Sequence, residues 1–211
     1  MKINYRPEID GLRAIAVVLV IIYHAEIIIS DYVLFRGGFI GVDIFFVISG
    51  YLITSIIFKE LLHTDNFLFK RFYERRIRRL FPVFIFIILA TIPISWLYLT
   101  PLAFVDFSKS VLYSIGFTSN LYFYFSGQEY AALSGFYKPF LHTWSLSVEE
   151  QYYLLFPFIF FLIFKFFKKY LIAIIIFLFI ISLVFADFGS RNFNSLNFYI
   201  LPSRIWELLF G

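Results

Sequence analysis

Residues 80–100, with the sequence LFPVFIFIILATIPISWLYLT, decide the fold of this chain. None of these residues is charged. An α-helix rises about 1.5 Å per residue, so as a helix the segment is about 30 Å long, which is the thickness of the hydrocarbon layer of a bilayer. That layer contains no water to satisfy backbone N–H and C=O groups, so a helix is the expected structure. The segment is therefore a predicted membrane span.

Five further segments approach this length and apolarity, and we predict six spans in all: residues 12–30, 38–58, 80–100, 108–125, 148–164 and 170–186. The fourth span is the most polar, because it contains several Ser, Asn and Tyr residues. The sequence thus predicts an all-α, polytopic transmembrane helical bundle, with one domain over residues 1–211. Residues 204–211 have the composition of the start of another helix. We therefore expect an incomplete domain.

The composition excludes several classes of protein. Only 15% of the 211 residues are charged and 61% are hydrophobic, whereas about a quarter of the residues of a soluble domain are charged. Cysteine is absent, which excludes disulfides and cysteine nucleophiles. With three histidines and no cysteine, no metal site is predicted. The net charge of +4 is concentrated in residues 59–79, with seven basic and three acidic residues, and we attribute it to membrane topology rather than to nucleic acid binding.

Basic residues before the first and third predicted spans determine the expected orientation. Lys2 and Arg6 precede the first span, and six residues precede the third: Lys70, Arg71, Arg75, Arg76, Arg78 and Arg79. Because Lys and Arg concentrate on the cytoplasmic side, we expect the N-terminus and residues 59–79 in the cytoplasm. The later topology stays open. If residues 108–125 cross the membrane, the basic turn at 165–169 lies outside; if they are re-entrant, it lies inside.

Arg13 and His24 belong to the first predicted span, where ionisable side chains are costly and are usually functional or paired. They are eleven residues apart, so they share a helix face with roughly 16 Å between them along the axis. A polar stripe from the cytoplasmic mouth into the membrane favours a substrate passage, and an imidazole can act as a base near neutral pH. The structural alternative is an anchoring Arg13 and a hydrogen-bonded, packed His24. Function is favoured for His24, because Glu26 and Asp43 are available as partners.

The glycine-rich segment GGFIGVDIFFVISGYLIT, residues 37–54, forms most of the second predicted span. Gly37 and Gly41 have the four-residue spacing that lets two helices approach closely. Asp43, near the outer end of the span, is expected to orient His24 or to pair with Arg36. A purely structural ion pair is the equal alternative.

Four arginines lie just before the third span, in the sequence RRIRRLFP of residues 75–82. Guanidinium groups bind phosphate with two parallel hydrogen bonds, so a cytoplasmic cluster of this kind suits a nucleotide-type cofactor. The alternative is a topology anchor that contacts anionic lipid head groups. The residues alone favour the anchor.

The segment HTWSLSVEEQYY begins at His142 and leads into the fifth span. Ser147 and Glu150 have the spacing of a capping box at the start of that helix, and Glu149 suits a helix N-terminus. The same segment places His142, Trp144 and two carboxylates together. Trp stacks on sugars and Glu accepts hydrogen bonds from hydroxyls, so we predict a site for a polar acceptor.

Together these segments resemble the type 3 membrane acyltransferases, which O-acylate bacterial surface glycans. YRPEIDGLRAIA at residues 5–16, followed by His24, is similar to the opening signature of the family. Four further signatures are matched in order by residues 38–54, 75–82, 142–153 and 203–211. The resemblance covers the whole chain. The domain of the family has about ten helices, so this chain is expected to correspond to its first part.

The resemblance implies an activity: an acyl group, usually acetyl from acetyl-CoA, is placed on a sugar hydroxyl in the outer compartment. It also implies a bacterial inner membrane location, membrane lipids and a glycan acceptor as partners, and acyl-CoA as co-substrate with no permanently bound cofactor. Envelope polysaccharides, including lipopolysaccharide, are the expected acceptor class.

The resemblance also assigns residues. Arg13 and His24 match the essential arginine–histidine pair of the family, and the Arg-x-x-Arg pattern of its cytoplasmic side fits here twice. On this basis the expected acyl-CoA site is Arg75, Arg76, Arg78 and Arg79. The expected catalytic residues are His24, Arg13, Glu149 and Glu150, with His24 as a general base or a transient acyl carrier. The expected acceptor-binding residues are Asp43, His142 and Trp144.

Two other functions compete with this one. A transporter or channel segment would use Arg13, His24 and Asp43 as an ion or proton relay. An inactive fragment would survive only as a membrane partner of another protein.

Overall fold

The computed structural model describes residues 6–25, 27–29, 32–33, 35–127, 135 and 138–211, and the structural statements below refer to these residues. Lys2 and Glu26, which carried parts of the sequence argument, lie outside them. The described helices are α1 Pro7–His24, α2 Ile40–Thr64, α3 Phe69–Tyr98, α4 Pro101–Ile115, α5 Ser119–Phe125, α6 Thr143–Phe166, α7 Leu171–Asn192, α8 Asn194–Tyr199 and α9 Ile205–Phe210.

Short elements connect these helices. The strands β1 Ile28–Ile29 and β2 Tyr32–Val33 pair antiparallel between α1 and α2. Single turns of 3-10 helix at Lys168–Tyr170 and Leu201–Ser203 precede α7 and α9. The predicted all-α bundle is therefore confirmed.

Within the described ranges, four helices are long and apolar enough to cross a membrane, namely α2, α3, α6 and α7 with its preceding turn. They correspond to the second, third, fifth and sixth predicted spans. The first predicted span is represented by α1, which has 18 residues and carries Glu8, Asp10 and Arg13. The chain is thus an integral membrane protein.

The third span is longer than predicted. α3 begins at Phe69 and continues for 30 residues, so the basic cluster and the apolar segment belong to one helix. The arginines therefore lie on a helix rather than in a loop.

The fourth predicted span is not a single helix, and this prediction is wrong. α4 ends at Ile115, Phe117 has a positive φ of 52°, and α5 starts at Ser119. The polar residues beside the break bind α6 instead of continuing a helix. The Ser114 hydroxyl lies 2.7 Å from that of Thr143, and the Ser119 hydroxyl lies 2.7 Å from that of Ser147.

α2 is the central helix, because glycines let neighbours approach it on two sides. A Cβ on Gly41 would lie 2.5 Å from the carbonyl oxygen of Ala16 in α1. Gly50 is in close contact with the backbone of Leu208 in α9. Gly41 acts as predicted, but its partner in the α1 contact is Gly38 rather than Gly37, which has no neighbouring atom within 4 Å.

α6 runs parallel to α2, and aromatic side chains fill the space between them. Phe46 meets Trp144 at 6.2 Å between ring centres near one end, and Phe58 meets Phe164 at 6.2 Å near the other. A smaller cluster joins α3, α4 and the segment before α6, formed by Phe84, Ile88, Phe107, Val111 and Phe140.

Candidate functional site

A cavity of about 600 Å³ lies between α1, α2, α3 and α6. Along α3 its wall runs from Phe72 to Ile87, which is about 22 Å at the rise of an α-helix. Its polar lining consists of Arg13, Ser49, Arg76, Arg79, Glu149 and Tyr153, and its apolar lining includes Leu52, Ile53, Ile56, Leu80, Val83 and Leu146. The cavity is elongated, and along α3 its arginines lie between apolar side chains, with Phe72 before Arg76 and Val83, Phe84 and Ile87 after Arg79.

The helical period of α3 divides the arginine cluster. Arg76 and Arg79 are one turn apart and both line the cavity. Arg78 pairs with Glu74 on the outer face, with its side chain 77% exposed, and Arg75 is also exposed. Of the four arginines predicted to bind acyl-CoA, the structure therefore brings two to the cavity.

Arg76 is the most firmly held of these arginines. Its Nε donates to both Glu150 carboxylate oxygens at 2.9 and 3.0 Å, and its Nη2 donates to Glu150 Oε1 at 2.6 Å. Its guanidinium carbon lies 3.3 Å from the ring centre of Tyr153. Glu150 thus serves as the counter-ion that fixes Arg76.

The predicted capping box of Ser147 and Glu150 is wrong, because α6 begins before Ser147 and Glu150 binds Arg76. α6 begins at Thr143, so Ser147 lies within the helix and binds Ser119. Glu150, one turn later, points to Arg76 and not back to a helix terminus.

Glu149 is the carboxylate that lines the cavity. The hydroxyl of Ser49 donates to it, and the hydroxyl of Tyr153 donates to it at 2.5 Å. Arg76 Nη2 is 3.8 Å away. No motif in the sequence singles out Ser49 or Tyr153, although the four-residue spacing of Tyr153 from Glu149 indicates a shared helix face.

Positive charge exceeds negative charge on the cavity wall, where three arginines face one carboxylate. Arg13 pairs with Asp10 at 3.1 Å and remains half-exposed. Arg79 has no carboxylate within 4.0 Å in the part of the chain that the structure describes. This part of the cavity therefore offers guanidinium groups to an anionic ligand.

His24 ends α1, eleven residues beyond Arg13, and does not line the cavity itself. Its Nδ1 lies 2.8 Å from the carbonyl oxygen of Val20. A carbonyl only accepts, so Nδ1 carries the proton in the neutral ring and Nε2 is the basic nitrogen. The predicted shared face of Arg13 and His24 on one helix is confirmed by the continuous helix α1.

His142 lies at the same end of the bundle as His24. It is the residue before α6 and continues the row of Leu146, Glu149 and Tyr153 that lines the cavity. The surrounding protein lowers the pKa of His142 by removing bulk water, a hydrogen bond with Pro139 opposes this, and the charge of nearby His24 lowers the pKa further. The two imidazoles therefore influence each other electrostatically.

Asp43 and Trp144 lie elsewhere, in a second charged cluster. Asp43 accepts a bond from Arg204 at 3.5 Å, and Arg204 also binds Glu207 at 2.7 Å. The expected pairing of Asp43 with His24 or Arg36 is not found, because Gly41 faces α1 and Asp43 lies on the opposite side of α2. The relay of Arg13, His24 and Asp43 is thus not assembled.

Trp144 is only 3% exposed and packs against Phe198, with 4.3 Å between ring centres. The guanidinium of Arg204 lies 5.8 Å from its ring centre. Trp144 is therefore a core residue that supports Arg204, and its buried ring does not present a face to a sugar.

Known proteins resemble this chain along its length. A family model described as "Acyltransferase domain" matches residues 6–211. A peptidoglycan O-acetyltransferase OatA of Listeria monocytogenes is 37% identical over 99% of this chain and 33% of its own length. An O-acetyltransferase OatA of Staphylococcus aureus strain NCTC 8325 is 36% identical over 99% of this chain and 34% of its own length.

A putative O-acetyltransferase of Staphylococcus aureus strain MSSA476 is 40% identical over 74% of this chain and 25% of its own length. The chain thus spans about a third of the length of the relatives that it matches over nearly its whole extent. No solved structure matches it significantly.

Proposed function

Because this chain belongs to the acyltransferase domain family, we propose that it is part of a membrane O-acyltransferase that moves an acetyl group from acetyl-CoA to a hydroxyl of a cell-surface glycan. The observation that carries the proposal is the cavity between α1, α2, α3 and α6. Its wall presents Arg13, Arg76 and Arg79, and most of its other lining residues are apolar.

The donor phosphates bind beside the three arginines of the cavity wall. Arg79 and Arg13 supply guanidinium groups for phosphate oxygens, while Arg76 adds positive charge in a position fixed by Glu150. The three-arginine lining suits the several negative charges of a coenzyme A nucleotide. Arg75 and Arg78, which face outward, are left for lipid head groups.

The pantetheine arm lies along the apolar part of the cavity. About twelve bonds separate its phosphate from its sulfur, which is roughly 14 Å at the reach of an extended chain. Arg13 and His24 are separated by roughly 16 Å along α1. An acyl-CoA with its phosphates near Arg13 therefore carries its thioester close to the end of the bundle where His24 and His142 lie.

His24 carries the proton transfer. Nε2 removes the proton from the acceptor hydroxyl, and the oxygen attacks the thioester carbonyl. A C–O bond forms, the C–S bond breaks, and the thiolate of coenzyme A takes up a proton. The other route open to the same nitrogen is transient acylation of His24 before transfer to the hydroxyl. His142 binds the acceptor beside His24, and Glu149 positions the donor through its contact with Arg76.

The acceptor approaches from the end of the bundle where His24 and His142 lie. The relatives are named as O-acetyltransferases, one of them of peptidoglycan, so we propose peptidoglycan strands as the acceptor. The basic N-terminal flank and the basic start of α3 support a cytoplasmic position for these segments, and we propose the bacterial inner membrane as the location of the protein. The exposed apolar side chains of α3 and α7 contact lipid.

The test is acetyl transfer by the full gene product in proteoliposomes supplied with labelled acetyl-CoA and soluble peptidoglycan strands. His24→Ala is expected to lower the rate by roughly 10²- to 10⁴-fold, the usual contribution of a general base. The control His63→Ala changes a residue at the exposed end of α2. Unchanged transfer by His24→Ala at equal protein level would contradict the role of His24 in catalysis. Transfer by residues 1–211 alone would reject the inactive-fragment alternative.

Orientation has its own test, because the sequence lacks native cysteines. His63→Cys is expected to react with a membrane-impermeant maleimide only from the cytoplasmic side, and Arg36→Cys only from the outer side. The reverse pattern would overturn the orientation.

A further inference from the structure

A second cavity, of about 260 Å³, lies beside the first turns of α4. Its wall includes Thr100, Asp106, Phe107, Ser110, Tyr122 and Lys138. These residues come from the start of α4, from α5 and from the segment that leads into α6. The first cavity lies near the basic start of α3, whereas Thr100 follows the opposite end of that helix.

The charged groups of this cavity do not form an ion pair with each other. Asp106 is exposed and Lys138 is half-buried, and within the described ranges neither has an ion partner within 4.0 Å. A carboxylate offers about four acceptor sites and an ammonium three donors. Tyr122 is fixed by a bond from its hydroxyl to the carbonyl oxygen of Asp106 at 3.3 Å and by stacking on Tyr113 at 4.8 Å.

One buried ring, that of Phe140, connects the two cavities. Phe140 is 1% exposed. Its ring centre lies 6.4 Å from that of Phe84, which lines the first cavity, and 5.6 Å from that of Phe107, which lines the second. It also lies 6.0 Å from the imidazole centre of His142. The second cavity is therefore separated from the first by the ring of Phe140, which also lies beside His142.

We propose that the second cavity binds one sugar ring of the acceptor glycan, with Asp106 accepting from its hydroxyls, Lys138 donating to its oxygens and Tyr122 contacting the ring. This proposal rests on the acyl transfer proposed above. The volume is below the roughly 300–1,000 Å³ of sites for drug-sized ligands, and it suits a single ring. A carboxylate, an ammonium and an aromatic side chain together fit a hydroxyl-rich ligand better than a lipid tail, which would leave both charges without partners.

The test separates acceptor binding from donor binding in the full gene product. Asp106→Asn and Lys138→Gln are each expected to raise the KM for peptidoglycan strands roughly ten- to a hundredfold, as for loss of hydrogen bonds to a charged group, and to leave the KM for acetyl-CoA unchanged. Calorimetry without donor is expected to show the same loss of glycan affinity. The matched controls Asp187→Asn and Lys169→Gln change exposed residues of α7 and its preceding turn.

An unchanged glycan affinity in both variants would overturn this proposal. Equal rises in the KM for peptidoglycan strands and the KM for acetyl-CoA would also overturn it. A third contrary outcome is a protein stability that changes with lipid chain length while glycan binding stays constant. Failure of the proposed function looks different. In that case the wild-type protein transfers no acetyl group, whereas the calorimetric comparison of variants still decides whether the cavity binds a sugar.

Discussion

Arg76 and Glu150 join α3 to α6 through three donor–acceptor contacts, the shortest of them 2.6 Å between Nη2 and Oε1. Their side chains are 28% and 10% exposed. The pair places a guanidinium on the wall of the first cavity and joins that wall to α6. Without Glu150, Arg76 keeps a distant contact to Glu149 at 3.8 Å.

Replacement of Glu150 is therefore expected to destabilise the protein. Glu150→Ala leaves the Arg76 guanidinium without its main partner, and we expect a cost of about 2–4 kcal/mol, below the roughly 3–5 kcal/mol of fully buried pairs because Arg76 is 28% exposed. The measurement is the midpoint of thermal unfolding of the purified protein in detergent. The matched control is Glu74→Ala, which removes the exposed pair with Arg78 and should cost no more than about 0.5 kcal/mol. Equal losses in the two variants would contradict the structural role of Glu150.

The adjacent glycines Gly37 and Gly38 give a second, sharper comparison. A methyl group on Gly38 would clash with the backbone oxygen of Leu19 and lie 2.7 Å from Tyr23 Cβ, whereas one on Gly37 would meet nothing within 4 Å. Gly38→Ala is expected to cost about 1–3 kcal/mol, because α1 must move away from α2. Gly37→Ala should stay within about 0.5 kcal/mol.

Thermal unfolding of both glycine variants checks this prediction. A loss of stability in Gly37→Ala as large as that in Gly38→Ala would show that backbone freedom, rather than the α1–α2 contact, matters at this turn.

The sequence was sufficient to predict the helical bundle and the shared helix face of Arg13 and His24. Long uncharged segments form helices in lipid, because no water is present to satisfy their backbone groups. The spacing of two residues on one continuous helix follows from the helical repeat. Both depend on local sequence alone.

The partners of the charged residues were not predictable in this way. Asp43 binds Arg204, which is 161 residues away, and Glu150 binds Arg76, which is 74 residues away. Helix packing decides such pairs, and no local period encodes it. The break at Phe117 was missed for a related reason, because serines that weaken a span are stabilised here by hydroxyls of α6.

The electrostatic contact between His24 and His142 predicts a change in titration. The charge of His24 lowers the pKa of His142, so removal of that charge in His24→Gln is expected to raise the pKa of His142. The sign follows because a second positive charge forms more easily when the first is absent. Titration of the histidine rings by NMR measures this, with His63→Gln as the control variant. A pKa of His142 that does not move in His24→Gln would show that the two rings do not interact.

Arg79 allows the donor site to be tested without disturbing the fold, because no carboxylate of the described chain lies within 4.0 Å of it. If Arg79 binds the phosphates of acetyl-CoA, Arg79→Gln should raise the KM for acetyl-CoA roughly ten- to a hundredfold, the range for charge-assisted hydrogen bonds. Acetylpantetheine lacks those phosphates, so its weaker use by the wild-type protein should be unchanged in the variant. Arg78→Gln is the control on the same helix, because Arg78 faces away from the cavity and pairs with Glu74. Steady-state transfer with both donors distinguishes the cases: an equal loss with acetyl-CoA and acetylpantetheine would mean that Arg79 supports the helix and not the phosphates.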